Sequence, residues 1–144
     1  MESQERTIDS LNLENGLTVY FIDRSSPPVA GRCQVRLLIW APVQPTEDHF
    51  SNDPEPSQAL SRFISLSGPG PIGFRTVKVR NFIGEEEVEN TLDEIKNDFI
   101  RSSLQYLGKP NFAAKLIARR YEELCEKAAV RRDYEDALRK NELR

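Results

Sequence analysis

The chain has 144 residues, 38% of them hydrophobic and 30% charged, with a formal net charge of −3 at pH 7. That length supports a buried core without disulfides or metals, and the composition is too apolar and too periodic for wholesale disorder. The acidic balance argues against a general polyanion binder, which needs an excess of clustered Lys and Arg, and offers no attraction to anionic membranes.

Met1 to Glu5 lacks the basic start and apolar stretch of a signal peptide. The longest apolar run, Leu37 to Ala41, is far too short to span a bilayer. Cys33 and Cys125 share no motif spacing, so no disulfide framework, zinc site or CxxC redox pair is indicated. A soluble protein of the reducing cytoplasm is expected. It reads as a single α+β domain over 1–144, with a loose N-terminus at 1–6, an acidic Pro-rich loop at 42–57 and a partly exposed C-terminal helix end at 129–144.

Leu11 to Arg24 predicts a hairpin, because Asn15-Gly16 sits between two apolar runs and both residues tolerate positive φ. A two-residue loop would mix polar and apolar partners on each face. A three-residue loop, Glu14-Asn15-Gly16, with Gly16 left-handed as a bulge, sets Leu13 opposite Leu17 and Leu11 opposite Val19. Asn12 and Ser10 then face Thr18 and Tyr20 on the other side. This second register is the expectation.

Pro27-Pro28 and Gly31 punctuate the chain before a third strand, in which Cys33, Val35, Leu37 and Ile39 form one apolar face. On the other face Trp40, beside Tyr20, marks either a second covered surface or a partner site, and cover by a helix or loop ranks first. Pro42 to Ser57 is read as an irregular acidic loop. Ser57 suits the N-cap of a short helix carrying Ala59, Leu60, Phe63 and Ile64 and stopping before Gly68. A strand over Leu60 to Leu66 is the lower-ranked alternative, because its apolar residues come in adjacent pairs.

Phe74 to Ile83 predicts a fourth strand, with Val77 and Val79 on one face and Thr76, Lys78 and Arg80 on a basic, solvated outer face. Glu85, Glu86, Glu87 and Glu89 crowd the start of a long helix, where the dipole favours negative charge. Val88, Leu92, Ile95 and Phe99 give that helix a core stripe. Gly108 suits its end and Pro110 the first turn of a last helix, whose apolar side runs from Phe112 through Leu116, Ile117, Tyr121 and Leu124 to Ala128. Beyond Ala128, Val130, Tyr134 and Leu138 stand four residues apart among charges.

The resulting fold class is a mainly antiparallel four-stranded sheet with one short and two long helices packed on one face, in the order β-β-β-α-β-α-α. No residue pattern assigns a catalytic group or calls for a cofactor. His49 is the sole histidine, and Asp48, Asp53 and Glu55 are the candidate metal ligands in a loop that lacks the glycine and donor spacing of an EF-hand. Arg36, Lys78 and Arg80 near Tyr20 or Trp40 are the nucleic-acid candidates, opposed by the acidic segments and the lack of an aromatic-rich RNP-like strand. The leading expectation is an interaction or adaptor domain, self-associating or binding a protein through Tyr20, Trp40, Val130, Tyr134 and Leu138. A hydrolase using the acidic loop and a weak nucleic-acid binder rank behind it.

Overall fold

The computed structural model describes residues 5–142; the expected looseness of residues 1–4 lies outside that range. Four strands follow one another in space as in sequence: β1 (Arg6–Asn12), β2 (Thr18–Asp23), β3 (Arg32–Pro42) and β4 (Gly73–Gly84), all antiparallel. The helices are α1 (Pro56–Ser67), α2 (Val88–Leu107) and α3 (Phe112–Glu142). This is the α+β fold with the expected element order. The chain divides into two compact units, Met1–Val43 with Ile72–Phe112 and Gln44–Pro71 with Ala113–Arg144.

In the first unit the β1–β2 hairpin adopts the three-residue loop. Leu13 N–H donates to Leu17 O at 2.8 Å, Gly16 N–H donates to Leu13 O at 3.0 Å, and Gly16 has φ +89°. Leu11 pairs with Val19, Asn12 with Thr18 and Ser10 with Tyr20. Because paired residues share a face, the leucines and Val19 turn to one side and the polar residues to the other. Arg6, assigned by the sequence to a loose terminus, instead opens β1 and bridges Asp23 at 3.3 Å and Glu89 at 2.7 Å.

The phase set by that loop passes through the sheet. Phe21 pairs with Ile39, which pairs with Thr76; Asp23 pairs with Leu37, which pairs with Lys78. Val19, Phe21, Val35, Leu37, Ile39 and Ala41 are wholly buried, and α2 lies over them with Leu92, Ile95 and Phe99. Phe99 meets Phe21 edge-on, with ring centroids 6.1 Å apart, and Phe74 at 6.1 Å. Aromatic pairs of this kind each add about 0.5–1.5 kcal/mol beyond their buried area.

Asn15 fastens the hairpin tip to the end of α2. Its Nδ2 donates to Leu107 O and to Lys109 O, both at 2.8 Å, and its Oδ1 accepts from Leu17 N–H at 3.1 Å. One side chain thus completes the turn and satisfies a carbonyl at a helix end, where carbonyls lack intrahelical donors. Gly108 ends α2 with its N–H bonded to Leu104 O, at φ −82° rather than left-handed. Pro110 lies in the turn before α3 rather than in its first turn.

The segment expected as an irregular loop, Pro42 to Ser57, is less irregular than its prolines suggest: Pro42 ends β3, and the rest from Gln44 on belongs to the second unit. Glu47–Phe50 forms a 3-10 turn, and Pro56 opens α1, where a missing N–H costs nothing. Ser57, expected as the N-cap, therefore lies inside the helix. Phe50 is buried and packs on Phe63 at 5.8 Å and on Tyr121 at 5.4 Å. Ile64, expected on the apolar side of α1, is exposed.

Two outcomes follow for stability. Asn15→Ala removes three bonds and leaves two carbonyls without this donor, so urea unfolding should show a loss of about 1–3 kcal/mol, while Asn15→Asp, which sets a carboxylate against both carbonyls, should lose at least as much. Asp9 is held below its ordinary pKa by the bond from Lys96 Nζ to Oδ2 at 3.2 Å and by Ser10 N–H to Oδ1 at 2.8 Å. A carboxyl depressed in the folded state stabilises above its unfolded pKa, about 4, and that contribution disappears as pH falls through the lower folded value. Urea midpoints measured from pH 5 to 2.5 should therefore fall less steeply in Lys96→Met than in the unaltered chain.

Candidate functional site

The side chains singled out by sequence fall on three separate surfaces. The first is the acidic segment. His49 is committed to local structure, its Nδ1 accepting from Thr46 N–H at 3.1 Å at the start of the 3-10 turn. Asp53 Oδ1 accepts from Glu55 N–H at 3.1 Å, an Asx-type bond that shapes the approach to α1. Asp53 and Glu55 border a shallow depression with Gln58, Arg62 and Tyr121, and Asp48 is not part of its lining. Burial raises the Tyr121 phenol above its ordinary pKa, with the Cys125 sulfur adding to the shift. Among the described residues, no three His, Cys, Asp or Glu side chains gather closely enough to hold a metal ion.

The second surface is the distal part of α3. Ile117 is buried, and Leu116, Tyr121, Leu124, Cys125 and Ala128 are partly covered. Every residue from Ala129 to Glu142 is exposed. Val130, Tyr134 and Leu138 are 69%, 65% and 45% exposed. At about 100° per residue these three lie within about 40° of one line, and that line is rotated roughly 110° from the covered Ile117–Tyr121–Leu124–Ala128 side. The exposed stripe is therefore a second face of the helix rather than a continuation of the first. Glu123, Glu126, Lys127, Arg131, Val130 and Tyr134 outline a shallow apolar hollow along it.

The third surface is the sheet face opposite α2. Cross-strand pairing arranges it in rows: Ser10, Tyr20, Trp40 and Arg75; then Thr7, Ile22, Leu38 and Val77; then Arg36 beside Val79. Arg24 joins the last row, its N–H bonded to Arg36 O at 2.8 Å. Tyr20 and Trp40 are adjacent and partly exposed, and Leu38 between the rows is buried. The sequence placed Lys78 and Arg80 with these aromatics. Their pairing with Leu37 and Val35 puts them on the α2 side instead, and Arg75 takes the place beside Trp40.

Arg75 and Arg24 are the members that sequence reading missed. Phe74 decides the facing: it joins Phe99, and Thr76, Lys78 and Arg80, which alternate in phase with it, follow to the α2 side while Arg75 turns outward. Phe82 was also passed over. It sits at φ +59°, a conformation unfavourable for a bulky residue, and is 84% exposed at the end of β4.

Cys33 is a buried member of the α2-facing side of β3, and Cys125 lies partly covered on α3. No helix among the described residues is long and apolar enough to cross a membrane. Compared with protein-family models, with curated proteins and with solved structures, the chain gives no match.

Proposed function

We propose that this protein is an interaction module that associates with a second copy of itself through the distal half of α3. The observation that carries this reading is the apolar stripe Val130, Tyr134 and Leu138, exposed on a face of α3 distinct from the covered one. A helix that is charged all round tolerates solvent; one that spaces three large apolar side chains four residues apart gains by laying them against a partner.

A second α3 supplies a matching surface. Antiparallel pairing centred on Tyr134 sets Val130 of each copy against Leu138 of the other and stacks the two tyrosines. The same centre sets Glu126 opposite Glu142 and Lys127 opposite Asn141, so the pairing rests on the apolar stripe and not on the charges along its rim. Two unpaired cysteines agree with a reducing compartment such as the cytoplasm. A hydrolytic role has less support, because the acidic side chains proposed for it do not converge.

Burial of these three side chains on each of the two copies, less the cost of association, corresponds to a dissociation constant on the order of 1–100 μM. Sedimentation velocity across that concentration range should show the full chain shifting from monomer to dimer. Truncation after Ala128, or the triple change Val130→Ser, Tyr134→Ser and Leu138→Ser, should abolish the shift while leaving the circular dichroism melt of the core in place. A full chain that stays monomeric throughout, or a dimer that survives both changes, overturns the reading.

A further inference from the structure

The face of the sheet opposite α2 has a composition that neither its structural role nor self-association through α3 accounts for. Three arginines, Arg24, Arg36 and Arg75, stand in its rows around the adjacent rings of Tyr20 and Trp40. The rows also hold Ser10, Thr7, Ile22, Leu38, Val77 and Val79, with Asn12 and Thr18 paired beyond them, none of them ionisable. At its margin Glu5 Oε1 lies 2.6 Å from Arg24 Nε, an ion pair without a well-aligned hydrogen bond among the described residues. Arg36 and Arg75 form no salt bridge among the described residues.

We infer that this face binds single-stranded nucleic acid, with bases stacking on Tyr20 and Trp40 and the phosphodiester backbone running between Arg75 and Arg36. Two observations favour a nucleic acid over an acidic peptide. Flat aromatic side chains side by side on a twisted sheet present surfaces for bases, and arginine both pairs with phosphate in bidentate fashion and stacks on rings. Between the aromatic row and Arg36, the partly exposed Ile22 and Val77 flank the buried Leu38 and present apolar surface suited to sugar and base rather than to a chain of carboxylates.

The net charge of −3 does not oppose this reading locally. In the unit that contains the sheet, Asp9 and Asp23 point to the α2 side, as their pairing with Phe21 and Leu37 requires. Glu85–Glu87 begins only where β4 ends. Segregation of charge by strand alternation thus gives a basic face to an acidic protein, and binding by it is driven by counterion release and weakens with salt.

Trp40 is the chain's single tryptophan, so its fluorescence reports on this surface alone. The test titrates the full chain with a 15-residue oligothymidylate at 50 mM salt, following Trp40 emission and the anisotropy of a labelled oligonucleotide together. Saturable quenching is expected, lost at high salt. Arg75→Glu and Arg36→Glu should each weaken binding by at least about tenfold, as loss of a strong contact does. Lys78→Glu, on the α2 side of the neighbouring position in β4, should leave the affinity within about twofold. Circular dichroism of each variant establishes that it is folded. No quenching at 50 mM salt overturns the inference, as does equal weakening by Lys78→Glu. Equal competition by a polyglutamate peptide assigns the face to acidic protein segments and overturns it as well.

Discussion

The left-handed turn at Gly16 sets the phase of the whole sheet. Once Gly16 takes φ +89° and Leu13 bonds to Leu17 across a three-residue loop, Leu11 and Val19 must share a side. Antiparallel pairing then hands that choice from strand to strand, since directly opposed residues cannot point to different faces. Asn15 converts the same turn into a tertiary contact by bonding to the carbonyls of Leu107 and Lys109. Turn geometry, sheet polarity and the position of α2 are therefore one constraint, held by two adjacent residues.

From that phase the two faces of the sheet acquire different chemistry. The side under α2 holds Val19, Phe21, Leu37, Ile39 and Phe74, closed by Leu92, Ile95 and Phe99, and its strand carboxylates Asp9 and Asp23 sit near the margin with Lys96 and Arg6 as partners, while Lys78 and Arg80 lie on the same side of β4. The opposite side keeps Tyr20 and Trp40 with arginines and small polar groups. A core contact such as Phe21 against Phe99 thus decides indirectly which charges solvent and solutes meet, because each residue buried on one face commits its neighbours in sequence to the other.

α3 follows a similar logic with a helical period. Its covered side ends at Ala128, after which the corresponding positions are Arg131, Glu135, Arg139 and Glu142, and apolar residues reappear on another side as Val130, Tyr134 and Leu138. The apolar residues thus change face within an unbroken helix, and the second set stands exposed. Phe82 is a further place where local preference is overridden: an exposed aromatic held at positive φ in the irregular pairing near Cys33.

The element order, the three-residue hairpin loop, the buried alternation of Cys33, Val35, Leu37 and Ile39 and the core stripe of α2 were all legible in the sequence. Each rests on interactions between residues within a few positions of one another: turn dihedrals, strand alternation or a 3.6-residue period. What was not legible depended on distant partners. The facing of Lys78 and Arg80 followed from Phe74 joining the Phe99 cluster, and the 3-10 turn at Glu47–Phe50 is accompanied by Phe50 burying itself against Phe63 and Tyr121. The sequence by itself determined the period of the four strands and the three α-helices; only the tertiary structure decided which side of β4 faces the core, because alternation is symmetric until a residue far along the chain claims one of the two faces.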